Sequence, residues 1–292
     1  MLELPELEVS KERLRLALVG GRVTAVELHK PGAFEKSSLP KEKLVGSHFR
    51  NVTRVGRHLC FELAAAAPLG QPDLGVSLYV NLGREGHVHL YESAPARPDA
   101  VLTIRCEKTG LRISEQDTRR PVRIALLTGA EEVEWLRGLG LDPASPDFTL
   151  DRLRQVLDRR DRPVRHVLTD QRAIAGLGEA YADEILFEAR LSPFRTTKEL
   201  KPDEAIRLYA AIKKVIALAI IYLKALPRVE LPVERNRNLK VHLRKGGKCY
   251  ACASTIAMVR DGKILSNYCP TCQTEGKVLE DREPAPASRP VA

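Results

Sequence analysis

The sequence predicts an α+β chain of several parts: a β-rich N-terminal domain with a flanking helix, a helical middle, and a small metal-stapled hairpin near the C-terminus. Three observations carry this. Eight short β-type runs, separated by turn residues, all precede Gly129. The pattern changes to helical spacing after Gly138-Leu139-Gly140-Leu141-Asp142-Pro143. Two thiol pairs, Cys249-x2-Cys252 and Cys269-x2-Cys272, then lie sixteen residues apart.

Glu6 to Val19 places Leu7, Leu14, Ala17 and Leu18 at helical intervals among charges, and Gly20-Gly21 ends the run as glycine ends helices. Strands are expected at Arg22–Leu28, Phe49–Val55, His58–Leu63, Val76–Asn81, His87–Tyr91, Val101–Cys106, Leu111–Ser114 and Arg123–Leu127. Their spacing suits an all-β sandwich or barrel. Residues 64–73 and 93–99 read as hairpin connections. The acidic run Glu131–Glu134 reads as a solvated helix face, and Trp135 as packing at a junction of two domains. Helices follow at Leu150–Arg159, Val164–Leu168, Ala180–Arg190 and Asp203–Leu226, the last with Pro202 at its start and Pro227 at its stop. Pro227–Asn238 is a polar connection, and the tail at 277–292, rich in Pro, Ala and charge, is expected to be disordered.

Each C-x2-C pair can form one edge of a tetrahedral site, and sixteen residues give room for a hairpin that unites the pairs. Four thiolates satisfy Zn²⁺ completely and leave no position for a substrate, so one structural zinc per chain on Cys249, Cys252, Cys269 and Cys272 is expected. Paired spacing of this kind favours metal over disulfides outside a secreted framework. From Lys224 to Lys263 there are ten Lys/Arg and three Asp/Glu, a local balance of +7 within a whole-chain net charge of +9. A zinc-stapled hairpin this positive suits nucleic-acid phosphates. Arg57, Lys240, Arg244, Lys245, Lys248 and Lys263 are the candidate contacts, and six contacts correspond to a log–log salt slope of about −5.

Other classes are disfavoured. The longest apolar run, Val215–Leu223, is far short of the roughly 20 residues a membrane span needs. The N-terminus carries acids and no basic stretch, against a signal peptide. Cys60 and Cys106 sit in strand-like runs and read as buried free thiols of a reducing cytoplasm. A monomer located in the cytoplasm, nucleoid-associated through DNA, is expected.

The run Asp170–Leu186 (DQRAIAGLGEAYADEIL) resembles the helix–two-turns–helix of the formamidopyrimidine-DNA glycosylase / endonuclease VIII family. Gly176 and Gly178 permit tight turns just before a new helix, whose start suits a phosphate. Further matches fall in family order: Glu3-Leu4-Pro5-Glu6, Arg54-Val55-Gly56-Arg57-His58-Leu59, Asn81-Leu82-Gly83-Arg84-Glu85-Gly86, Asp117-Thr118-Arg119-Arg120, Gly140-Leu141-Asp142-Pro143 and Cys269-Pro270-Thr271-Cys272-Gln273. The resemblance spans Leu2 to Gln273. It implies a β-sandwich domain (1–137), a helix–two-turns–helix domain (138–238), a zinc finger (239–276), and base excision repair of damaged or abasic double-stranded DNA.

As the resemblance implies, a proline amine exposed by Met removal attacks C1′ of the damaged nucleotide to form a Schiff base. A neighbouring glutamate handles protons, and elimination nicks the strand. The proline position here is Leu2. A bulky residue there keeps the initiator Met, so Met1 bears the α-amine. Glu3 matches the family glutamate, while Glu6 reads as a helix cap. The resemblance carries over DNA-contacting positions as well. Arg57 stands for a lysine, Arg84 for the methionine that fills the gap of an everted base, and Arg119 for the retained part of an opposite-strand wedge whose phenylalanine is Pro121. Gly178 and Glu179 open the phosphate-facing helix, Glu179 standing for an asparagine. Asn81 stands for a histidine, and Ile264 for the finger arginine, with Lys263 beside it. The expected function is a DNA glycosylase with Glu3 activating water, or a weak Met1-amine lyase. The alternative is a non-catalytic DNA-binding paralogue that recognises damaged or bent DNA.

Overall fold

The computed structural model describes residues 2–37, 39–65, 74–92, 97–116, 119–226 and 238–282. The chain divides into two compact units: Met1–Leu139 with Leu223–Val233, and Gly140–Tyr222 with Glu234–Ala292.

The first unit opens with α1 (Leu4–Leu18), two residues earlier than its periodicity suggests, because Glu3 caps it and Pro5 suits its first turn. Nine strands follow: β1 (Val23–Leu28), β2 (Phe34–Ser37), β3 (His48–Val55), β4 (His58–Ala65), β5 (Leu74–Asn81), β6 (Gly86–Tyr91), β7 (Ala100–Cys106), β8 (Gly110–Glu115) and β9 (Arg123–Leu127). One sheet runs β2-β9-β5-β4-β3 and the other β1-β7-β8-β6. Leu59, Phe61 and Leu63 of β4 alternate inward with Val76, Leu78 and Val80 of β5. They share one buried cluster with Leu102 and Ile104 of β7 and Leu111 and Ile113 of β8. Period-two alternation on both sheets, meeting in one core, makes this a sandwich and not a closed barrel. The sequence concealed β2: only Phe34 is half-buried and the next three residues are exposed, as suits a short edge strand paired parallel to β9.

Helix α2 (Gly129–Leu136) lays Trp135 against Tyr79 (centroids 4.5 Å) and His58 (4.8 Å). Trp135 therefore packs within the first unit, on β4 and β5. The acidic run is not wholly solvated either, since Tyr79 Oη donates to Glu132 Oε1 at 2.7 Å. Cys60 is buried as expected, and burial pushes its thiol up to about 11, whereas Cys106 is only half-buried at the end of β7.

The second unit contains α3 (Leu150–Leu157), α4 (Val164–Thr169), α5 (Glu179–Glu188), most of α6 (Pro202–Ala225), the hairpin β10 (Ala257–Asp261) and β11 (Ile264–Tyr268), and α7 (Pro270–Thr274). The last turn of α6 belongs to the first unit. There Arg13 Nη2 donates to the carbonyls of Leu223 (3.3 Å) and Leu226 (3.1 Å), and Lys224 pairs with Glu12. The helices and the cysteine hairpin, expected as separate parts, form one compact unit because α5 is bonded to both arms of the hairpin region. Glu184 accepts the backbone N–H groups of Lys240 (2.8 Å), Val241 and His242 (both 2.9 Å). The tail also departs from expectation. Lys277–Arg282 is ordered, with Leu279 packed against Phe194, Val259 and Tyr268, and only 283–292 lies outside the described residues. No described helix is long and apolar enough to cross a membrane.

Candidate nucleic-acid interface

At the amino end, Glu3 and Glu6 form a reciprocal capping box: Glu3 N–H donates to Glu6 Oε2 at 2.9 Å, and the Glu3 carboxylate accepts the Glu6 N–H. Both are buried (3% and 0% exposed). Glu3, expected to serve chemistry, and Glu6, expected to cap, thus share one structural role. That arrangement still holds the Glu3 carboxylate at a fixed point one residue from Leu2. The Leu2 side chain is half-buried against the sandwich core. Met1 lies outside the described residues.

Two loops that carry candidate arginines are fastened together. Gly83 adopts φ +57°, and a Cβ there would lie 2.2 Å from Arg120 O, so only glycine fits. Arg84 N donates to Arg120 O (2.9 Å) and Gln116 N to Glu85 O (3.3 Å). The arrangement places the exposed Arg84 and the exposed Arg119 on adjoining segments. The 81–86 turn is pinned from below by Asn81, whose Oδ1 accepts Gly83 N–H at 3.0 Å and whose Nδ2 donates to His58 Nε2 at 3.3 Å. Burial depresses the His58 pKa to about 4, so the ring is neutral near pH 7 and Nε2 can accept that proton. Glu115 anchors the opposite segment: it accepts Val122 N–H at 2.7 Å and pairs with Lys30 at 2.9 Å. Sequence reading singled out Arg84 and Arg119 but missed Glu115 and the supporting role of Asn81. Arg57 sits in the β3–β4 turn behind Gly56 (φ +58°), next to a hairpin end that Arg54 ties to Glu8 of α1 at 2.6 Å.

In the second unit, Gln171 shapes the glycine turn. Its Oε1 accepts Gly176 N–H (2.9 Å), and its Nε2 donates to Leu177 O (2.8 Å) and Thr169 O (3.1 Å). Gly176 takes φ +93°, and Gly178 is the extended N-cap residue of α5. Glu179, first in the helix, is exposed and sets a carboxylate at the positive helix end, where negative charge is favoured.

Behind the turn lies a network that sequence reading did not anticipate. Asp183 and Arg165, each 1% exposed, form an ion pair, and Arg165 Nη2 donates to Leu265 O at 2.6 Å. The other Asp183 oxygen meets His242 Nδ1 (2.7 Å), Asn267 N (3.2 Å) and Asn267 Nδ2 (3.1 Å). Beside it, burial raises the Glu184 carboxyl above its ordinary range, opposed by its three backbone donors. The only sequence trace of this network was an adjacent Asp-Glu pair set between the apolar stretches 180–182 and 185–187 of α5.

The four cysteines converge: their Sγ atoms all lie within 4.8 Å of one another. Measured pairs are Cys252–Cys269 at 3.4 Å, Cys252–Cys272 at 3.5 Å and Cys249–Cys272 at 3.9 Å. These are far too long for disulfides, at roughly 2.05 Å. They bracket the edge of about 3.8 Å that follows from four sulfurs at about 2.3 Å from a tetrahedral metal. A metal fits. Ser254 Oγ and Thr271 Oγ1 join the two cysteine turns at 2.7 Å, and Gln273 locks Cys269 by accepting its N–H at 2.9 Å. Lys263 is exposed at the hairpin tip. Lys240, expected at a phosphate, is instead engaged within the unit: Nζ reaches Tyr250 Oη at 3.1 Å and Glu188 Oε2 at 3.5 Å.

A sandwich joined to a glycine-turned helical unit with a four-thiol hairpin is an architecture seen in solved structures. The Lactococcus lactis Fpg in complex with DNA containing an abasic site superposes with a TM-score of 0.81 at 24% identity, covering 93% of this chain and 99% of that one. A complex of the same protein with FAPY-dG containing DNA agrees equally well. These likenesses establish the fold. The formamidopyrimidine-DNA glycosylase N-terminal domain model matches residues 1–124, and the formamidopyrimidine-DNA glycosylase H2TH domain model matches residues 139–226. The formamidopyrimidine-DNA glycosylases of Thermus thermophilus and Pelotomaculum thermopropionicum are each 32% identical, over 94% of this chain and 100% and 99% of theirs. The chain belongs to the formamidopyrimidine-DNA glycosylase family.

Proposed function

We propose that this protein binds damaged or abasic double-stranded DNA and acts in base excision repair as a DNA glycosylase whose amino-terminal chemistry is altered. The observation that carries the reading is the clasp between the Gly83–Arg84 turn and the Arg119–Arg120 segment. Extruding a base leaves a gap in the stack, and two exposed arginines on mutually bonded loops suit filling and bracing it. Glu3 is the proton-handling group or the base for an attacking water. Arg57, Arg84, Arg119 and Lys263 meet DNA, with Gly178 and Glu179 at the helix start facing a phosphate. Zn²⁺ occupies the four thiolates as a closed, structural site that holds the hairpin and supplies no catalytic position. A second reading, binding without chemistry, is favoured by one feature: Leu2 is tucked against the core where the family nucleophile would stand.

Incubation with borohydride of two duplexes, one carrying a damaged base and one an abasic site, separates these. Base release without a covalent adduct supports the water route, and binding alone supports the paralogue. A strong adduct in the unmodified protein would mean that the Met1 amine or a lysine reaches C1′. In the Leu2→Pro protein, Met removal should expose a secondary amine beside Glu3, its pKa low enough for a useful neutral fraction near pH 7. Trapping is expected to rise from little or none to a dominant band. If Leu2→Pro stays inert while still binding DNA, the other departures at Asn81, Arg84, Glu179 and Ile264 have dismantled the site.

A further inference from the structure

The chain continues past its last cysteine in an ordered form. After α7, Glu275 (φ 53°) and Gly276 (φ 87°) reverse the backbone, and the chain returns so that Asp281 and Arg282 meet the edge of β10 that faces away from β11. Arg282 N donates to Arg260 O (2.8 Å) and Gly262 N to Arg282 O (2.9 Å), making a parallel bridge at Asp261. Asp281 Oδ1 accepts Arg260 N–H at 2.8 Å. A two-stranded hairpin is marginal alone and leaves an unpaired edge. The returning strand fills that edge at the residues flanking the Gly262-Lys263 turn.

Two side chains seat the strand. Leu279 joins Phe194, Val259 and Tyr268, and its N–H donates to Tyr268 Oη at 2.6 Å. The Arg282 guanidinium lies over the Phe194 ring, 3.9 Å from its centroid. A guanidinium stacked by its face keeps its planar fork of N–H donors directed outward, the geometry that grips phosphate. Arg282 is exposed, as are Arg260, Lys263 and Lys277. Of the nearby acids, Asp281 takes the Arg260 N–H and Asp261 Oδ2 lies 3.5 Å from His166 Nε2, while Glu280 is exposed.

We infer that Lys277–Arg282 is a working strand of the nucleic-acid interface, which pins the hairpin turn and presents Arg282 to a backbone phosphate. The inference rests on the DNA-binding reading above.

The test measures duplex affinity between 50 and 200 mM salt for the full chain, for Arg282→Gln and for Arg282→Lys, using a duplex with a reduced abasic site. One lost phosphate contact lowers the salt slope by about 0.9, so the deficit of Arg282→Gln should shrink about threefold across that range. Arg282→Lys should keep the slope, and metal content should be unchanged in both. Arg282→Gln binding with the unmodified affinity and slope would overturn the inference. Weaker binding at an unchanged slope would overturn it too, leaving the strand a scaffold only. If the unmodified chain fails to bind the duplex, the DNA-binding reading itself falls and takes this inference with it.

Discussion

Asp183→Ala is expected to cost the second unit about 3–5 kcal/mol of unfolding free energy, because it strands the Arg165 guanidinium in the interior without a counter-charge. Arg165 is 1% exposed, so water cannot take over the role of the carboxylate. The same change removes the acceptor for His242 and for both N–H donors of Asn267. A domain is typically stable by about 5–15 kcal/mol, so this loss is a large share of the whole. Denaturant titration followed by helical signal should show the midpoint fall sharply with an unchanged slope. Adding Arg165→Met should recover part of the loss, since an apolar side chain of similar reach does not need the missing charge. A midpoint within experimental error of the unmodified protein would mean that the buried pair is dispensable.

The second large effect is metal removal. The hairpin is seated on two small apolar clusters, Phe187, Val241, Ile256 and cysteines in one and Phe194, Val259, Tyr268 and Leu279 in the other, modest surface to order some thirty residues without a cross-link. Metal binding to such sites is worth on the order of 10 kcal/mol and becomes folding free energy. Protein purified without chelator should carry one zinc per chain by elemental analysis. Strong chelation, or Cys269→Ser, should melt β10 and β11, abolish tight duplex binding, and leave the sandwich folded. Amide exchange resolved along the chain would show this as protection lost at 249–282 and kept in β3, β4 and β5. Retained hairpin protection in metal-free protein would rule out the metal as its staple.

Much of the first unit was legible because its strands obey period-two alternation and end in turn residues. Eight of these nine strands were read this way, whereas β2 was hidden because an edge strand can be charged on every face. The start of α1 was misplaced because capping by Glu3 and Glu6 acts before the hydrophobic period begins. The four cysteines were readable for a different reason. Coordination chemistry demands particular atoms at short spacing, so the pattern survives without any knowledge of the fold. Arg84 and Arg119 were picked out by resemblance. Their being joined through Arg84 N and Arg120 O was not readable, because 36 residues separate those partners and backbone hydrogen bonds leave no mark on composition.

The sequence by itself determined the order of parts, the sandwich pattern, the four-thiol site and the family. These depend on local period, on residue chemistry at fixed spacing, and on motifs in series. Tertiary structure alone decided what holds those parts in working form. It turned the Asp183-Glu184 pair into the anchor of the four-thiol hairpin, committed Lys240 to Tyr250 and Glu188, placed Trp135 on Tyr79, and laid the tail on β10 with Arg282 against Phe194. The physical reason is common to all four. A charged or aromatic side chain reads the same in sequence whether it faces water or a buried partner, and only the partner, brought from far along the chain, determines which energy it contributes.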